Sequence, residues 1–171
     1  MEKELVDIVN ENDEVIGKGD KDEIHQSGKL HRIVHLIVEN RDRKFVIQKR
    51  ATGLHLLDLA AGGHVKSGDN YVKTVKREAK EELGLDAKIV ELLGFVKSAD
   101  NGKHHIGAVF YCKSDGPFEI NKEEVDKLFY YSKQEVEHLI QVAPKSCTNG
   151  LKKAFELYLN IKQKELAKKK R

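Results

Sequence analysis

The chain has only two cysteines, Cys112 and Cys147, in 171 residues. That number is too small for a disulfide framework or a four-thiolate zinc site, and it suits a reducing, cytoplasmic setting. Prolines are equally scarce, at Pro117 and Pro144, and no Gly/Ser-rich linker offers a place to divide the chain. No apolar run approaches the length that crosses a bilayer, and the start, Met1-Glu2-Lys3-Glu4, is charged where a signal peptide would be apolar. A secreted mini-protein, a membrane span and a disordered chain are thereby excluded, and a soluble single domain able to bury its own core is expected.

Charged residues make up 35% of the chain, with a net charge of +3. From Lys162 to Arg171 six basic residues stand against Glu165, giving +5, so residues 1–161 carry +3 − 5 = −2. A Lys-rich end of this kind solvates the last turns of a helix and suits its C-terminal dipole. The expected organisation is therefore one domain over residues 1–161, with an extension at 1–32, and a basic tail at 162–171 that continues the last helix.

Mixed strands and helices follow from the patterning. Leu5–Val9 and Val15–Ile16 read as strands around a turn at Asn10–Asp13, and Ile33–Val38 and Phe45–Gln48 read as a hairpin. Further strands are expected near 88–96, 105–112 and 125–131, with helices at 70–83, 132–141 and 148–167. This is a mixed α/β class with helices packed on sheet faces. Phe45, Phe110, Phe118, Phe129 and Tyr130 fall in strand runs and read as core.

The chemistry concentrates between Ala60 and Leu85. A glycine-bearing loop with Gly62-Gly63 and Gly68 leads into a helix that Ser67 or Asp69 can cap, and Gly84 is placed to end it. At 100° per residue, Val72, Val75, Ala79 and Leu83 form the stripe that should meet the sheet, and Glu78, Glu81 and Glu82 gather about a quarter turn away. Three carboxylates so placed repel one another. They form either a solvated acidic face beside Lys76, Arg77 and Lys80, or a hard-oxygen site for magnesium or manganese.

The full spacing Gly63-x5-Asp69-x7-Arg77-Glu78-Ala79-x-Glu81-Glu82-x-Gly84-Leu85 resembles the signature of the Nudix hydrolase superfamily. The resemblance implies an αβα sandwich around a mixed sheet and a divalent-metal-dependent, MutT-like hydrolase of a diphosphate linkage, with a nucleoside diphosphate joined to another group as the substrate class. It implies Glu78 and Glu82 as metal ligands, Glu81 as a ligand directly or through water, the Gly63 carbonyl completing the shell, and Arg77 orienting Glu78. The base is left between a box glutamate and the loop pair Glu123 and Glu124. Asp69 stands where the family usually has glutamate, a residue expected to brace Arg77.

Residues 5–32, with Val9 to Gly17, His25 and Leu30-His31-Arg32, and the segment from Gly116-Pro117-Phe118 to Glu124-Val125, look like the isopentenyl-diphosphate isomerase-like branch. That branch places a catalytic cysteine before a Gly-His pair; here Gly62 precedes Gly63-His64, and Lys103 and His105 align with its glutamates. Hydrolysis is therefore expected over isomerisation. His25, His31 and His64 align with histidine metal ligands of the branch, but without the matching carboxylates the expectation is two loop histidines and one box-loop histidine rather than a closed zinc or manganese site, with His104-His105 a simple strand pair. Lys49-Arg50 and His31-Arg32 are candidates to approach phosphates or to stay solvated. Magnesium and a small-molecule diphosphate are the expected partners, as monomer or homodimer, with no membrane. A non-catalytic nucleotide or nucleic-acid binder using the tail is the reading from a different class.

Overall fold

The computed structural model describes residues 3–100 and 102–169, so Lys170 and Arg171 of the basic tail lie outside the described residues. Two strands open the chain, β1 (Leu5–Val9) and β2 (Val15–Asp20), paired antiparallel. The Asn10 side chain builds the turn between them by accepting from the N–H groups of Asn12 and Glu14. A short helix, α1 (Lys21–Ser27), follows in a stretch for which no element is expected from the sequence. Asp20 caps it and Gly28, at φ 63°, stops it, but only Ile24 of its seven residues is buried, so no apolar period announces it.

The strands β3 (His31–Glu39) and β4 (Lys44–Arg50) meet at Glu39 opposite Phe45 and then part. Along its length β3 runs parallel to β8 (Lys103–Lys113) and, on its other edge, antiparallel to β6 (Ala61–His64). β4 turns to β5 (Leu57–Asp58) and to β9 (Val125–Ser132), while β7 (Glu91–Asp100) pairs antiparallel with β8. The expected hairpin is thus real at its turn and opens beyond it. Parallel and antiparallel pairs make the sheet mixed.

Three further helices, α2 (Tyr71–Leu83), α3 (Lys133–Val142) and α4 (Asn149–Lys169), complete the αβα sandwich. Strand alternation divides the core. Val34, Leu36 and Val38 of β3 face α2 through Val75, Ala79 and Leu83, whereas Ile37 joins Leu151, Ala154, Phe155 and Tyr158 of α4. Both cysteines are free and buried, and among the described residues no helix is long and apolar enough to cross a membrane.

The roll of α2 departs from the expected stripe. Val72 is 48% exposed, while Thr74, Glu78 and Glu82 are buried with Val75, Ala79 and Leu83. The buried arc is rotated toward the glutamates, which now lie near its centre, because the strand edge beneath them is glycine and leaves room for carboxyl groups. The helix ends at Gly84, φ 65°, with Gly84 N–H bonding Lys80 and Leu85 N–H bonding Ala79. A side chain there would also meet Glu119 Cβ at 3.0 Å. We expect Gly84→Ala to lower the unfolding free energy by at least about 1–2 kcal/mol, the usual cost of a left-handed alanine, seen as a reduced urea midpoint at unchanged slope.

Candidate functional site

The segment before α2 is more ordered than a loop: residues 61–64 form β6, with Gly62 opposite His35 and Gly63 opposite Val34. Asn70, not Ser67 or Asp69, caps the helix, accepting from Lys73 N–H at 2.8 Å. Ser67 is drawn off to Asp7 at 2.6 Å, and the Asp69 carboxylate takes the Lys73 ammonium at 2.5 Å. A Cβ at 63 would displace the Glu78 carboxyl from its place, and glycine is required at 62 because one there would come within 2.7 Å of the Val34 carbonyl oxygen.

Glu78 and Glu82 are only 7% and 5% exposed, which rules out a solvated acidic face for these two. Burial pushes Glu78 up to about 7, opposed by the Arg77 guanidinium and reinforced by the negative charges of Glu81 and Glu124. It pushes Glu82 up to about 8, opposed by a 2.6 Å hydrogen bond from the Gln48 amide. Gly62 N–H also donates to Glu82, at 3.3 Å. Glu81 is half exposed and is held at 2.7 Å by Arg77.

Arg77 bridges the site without help from Asp69. Its guanidinium reaches Glu78 at 2.8 Å, Glu81 at 2.7 Å and the His64 carbonyl at 3.1 Å, while its Nε is buried without a partner. The expected Asp69 brace is therefore absent: the shorter carboxylate is taken up by Lys73, one turn along the helix.

A cleft of about 1450 Å³ exposes these groups. Glu78, Glu81, Glu82 and Glu124 line it; Glu123, its companion in the sequence, does not. Glu124 is oriented by Asn121, whose amide donates to its carboxylate at 3.0 Å. Exposed Lys18, Lys66, Lys103 and Arg50 also line the cleft, so its carboxylate floor is flanked by cations. Arg32 is not among the lining residues: it pairs with Asp13 and lies over the Tyr71 ring. Lys49 pairs with Asp126. Two residues of the site escaped the sequence. Gln48 carried one signal, an amide in a strand that otherwise buries Phe45, Val46 and Ile47. His35 carried none; its ring lies buried against Gly107 and Gly150 with Nε2 unpartnered.

The histidines overturn the expectation of separate loop residues. His31 is fully buried on β3, and His25 of α1 places its Nε2 3.1 Å from His31 Nε2 and 3.0 Å from His64 Nε2. His105, expected as one of a strand pair, is buried and joins them, while His104 is exposed. Burial lowers the pKa of all four, His25 to about 4 and His105 to about 3, so they are neutral near pH 7.

The buried carboxyls make stability depend on pH with a definite sign. A group whose folded pKa is raised binds more protons folded than unfolded between the two values, so stability falls as pH rises from the ordinary 4.5 through about 8, by about 1.4 kcal/mol per tenfold difference in proton affinity. Because the neutral histidines act in the opposite sense below their ordinary 6.5, the comparison must be between variants that share them. In chelator-treated protein, the unfolding free energy of Glu82→Gln should gain on that of the parent as pH rises from 5 to 8 and level off above; a pH-independent difference would contradict the burial of a titrating Glu82.

The NUDIX domain family model matches residues 29–148. The chain is 32% identical over 145 residues to a Nudix hydrolase of Yersinia pestis, covering 78% of this chain and 75% of the relative. It is 31% identical over 137 residues to the Nudix hydrolase YfcD of Escherichia coli K12, covering 78% and 76%. Among solved structures, DR0079 from Deinococcus radiodurans superposes with a TM-score of 0.70 at 26% identity, covering 86% of this chain and 93% of that one. The MutT NUDIX hydrolase from Burkholderia pseudomallei shares the fold, with a TM-score of 0.64 at 22% identity over 75% and 97% of the two chains. With the family match spanning well over half its length, the chain belongs to the Nudix hydrolases.

Proposed function

We propose that this protein hydrolyses a diphosphate linkage in a small molecule, with a divalent cation held by Glu78 and Glu82, Glu81 ligating directly or through water, and the Gly63 carbonyl completing the set. The observation that carries this reading is Glu82. It is buried in a cleft that Asp58, Glu78, Glu81 and Glu124 also line, and its hydrogen-bond donors, Gln48 and Gly62 N–H, are both neutral. Arg77 serves Glu78 and Glu81 instead. A buried carboxylate facing like charges is expensive without a cation, and an all-oxygen donor set suits magnesium or manganese. When bound, such an ion withdraws charge from phosphoryl oxygens and acidifies water.

The chain's own residues supply the rest. Arg77 holds Glu78 and Glu81 in register, and its bond to the His64 carbonyl fixes the helix against β6. Glu124, aimed by Asn121, takes the proton of the attacking water. The cationic residues of the cleft hold the phosphates, and a nucleoside diphosphate joined to another group is the substrate class we adopt. Cytoplasmic action as one domain over residues 1–161, with the basic tail outside the site, completes the proposal.

Features shared with the isomerase-like branch do not extend to its chemistry. That reaction needs a proton donor at position 62, and Gly62 has no side chain; one placed there would collide with the Val34 carbonyl.

The test is magnesium-dependent release of phosphate or nucleoside monophosphate from a panel of nucleotide and isoprenoid diphosphates. We expect Glu82→Gln and Glu78→Gln to abolish turnover, Glu124→Gln to reduce kcat by roughly 10²–10⁴-fold as for loss of a general base, and Glu123→Gln to leave it within about twofold. Full turnover in Glu82→Gln, or interconversion of isopentenyl and dimethylallyl diphosphates, would overturn the proposal.

A further inference from the structure

The cleft is also lined by His35 and Asp58, to which the hydrolytic reading gives no part. His35 stands in β3, two residues before Ile37 and on the same face, and is 8% exposed. Glycines from two elements make room for its ring: a Cβ at Gly150 of α4 would come within 2.5 Å of Cε1, and one at Gly107 of β8 within 3.0 Å of Nε2. Nε2 is sealed there without a partner, and among the described residues no hydrogen bond reaches the ring. The other nitrogen, Nδ1, faces the bare backbone of Gly62, where a Cβ would lie 3.6 Å from it. An aliphatic side chain would fill this position at lower cost, since a buried imidazole without partners forfeits its hydrogen bonds with water.

Asp58 has spare capacity of the same kind. Its Oδ1 accepts from the Leu59 N–H at 2.8 Å and from the Thr148 hydroxyl at 2.7 Å. Among the described residues its Oδ2 has only the Arg50 guanidinium, at 3.7 Å, which is too far for a hydrogen bond. Both residues adjoin the carboxylate floor through the two donors of Glu82. Gly62, whose N–H bonds Glu82, is the register partner of His35, and Gln48, whose amide bonds Glu82, is the register partner of Asp58.

The pair selects for one chemistry. Burial lowers the His35 pKa against the pull of the Asp58 carboxylate, so the ring is neutral near pH 7 and offers one donor and one acceptor. An anionic group would be repelled by Asp58, and an apolar one would leave both side chains unpaired. Hydroxyls, which donate and accept, satisfy both.

We infer that His35 and Asp58 are specificity residues, hydrogen-bonding the hydroxyls of a sugar unit joined to the diphosphate that lies on the carboxylate floor. The diphosphate in this assignment comes from the hydrolytic reading; the chemistry of the group attached to it comes from His35 and Asp58. An apolar group of the same size is rejected because it strands polar side chains built to be bonded.

The test compares ribose 5-diphosphate with pentyl diphosphate, which share the diphosphate and a five-carbon substituent but not its hydroxyls. Calorimetric titration in magnesium should show the parent protein binding ribose 5-diphosphate roughly tenfold more tightly, the worth of one or two hydrogen bonds. In His35→Leu and in Asp58→Ala that ratio should fall towards one, whereas a merely structural defect weakens both compounds alike and leaves the ratio. In parent protein labelled with ¹⁵N-histidine, the His35 Nδ1 resonance should move on adding ribose 5-diphosphate and hold still with pentyl diphosphate. Equal binding of the two compounds by the parent protein, or binding of neither, would overturn the inference without any variant having to fold. So would an unchanged ratio in either variant, or a His35 Nδ1 resonance that ignores ribose 5-diphosphate. Phosphate release reports on the hydrolytic reading separately: a binding preference without turnover in magnesium would remove hydrolysis and leave the sugar site standing.

Discussion

Two carboxyl groups buried over a glycine pair set the terms for the rest of this molecule. Glu78 and Glu82 sit on the buried side of α2, and Gly62 and Gly63 on the strand beneath are what allow it. Without side chains at those positions the helix packs close and turns its glutamates, rather than Val72, toward the sheet. The arrangement is poor for stability in isolation, since burial raises both pKa values and places each carboxyl near another. The neighbours limit the cost, Gln48 and Gly62 N–H for Glu82 and Arg77 for Glu78. None of them abolishes it, and carboxyls whose neighbours do not offset their burial would gain from a cation in place of the protons they otherwise hold.

The sheet positions this pair against a second, chemically different group. In β6 successive side chains point to opposite faces. Gly63 therefore meets Glu78 on the α2 side, while the next residue, His64, meets His25 and His31 on the other. Parallel pairing of β3 with β8 sets His31 opposite His105. Carboxyl groups therefore gather on one face of the strand and imidazole rings on the other, a separation made by the pleat alone.

Much of this was legible in the sequence, and the failures have physical causes. The spacing from Gly63 to Leu85 located α2, its glycine stop and the family, because those features are local and written in helical period and left-handed glycine. Strand positions followed from β-branched runs. The roll of α2 was not legible: hydrophobic periodicity assumes that apolar residues face the core, and here carboxyls took that place beside Val75 and Ala79. The strand β6 looked like a loop since its residues are Ala, Gly, Gly and His, with no side chains to alternate. The gathering of the histidines was not legible because it is made by elements far apart in sequence, α1, β3, β6 and β8. Asking for carboxylates at the aligned positions obscured His105, an imidazole supplied by β8.

Position 69 shows how the two faces are mechanically joined. Aspartate there pairs with Lys73 rather than with Arg77, and the buried Arg77 Nε is without a partner. The guanidinium instead takes its backbone anchor from the His64 carbonyl. That carbonyl belongs to the residue whose ring faces the other histidines, so the orientation of Glu78 and Glu81 rests, through Arg77, on where His64 is held. An orphaned guanidinium nitrogen is a cost of about 1–3 kcal/mol or more. The structure accepts it in exchange for an arginine that reaches two box carboxylates and the peptide between the two faces at once.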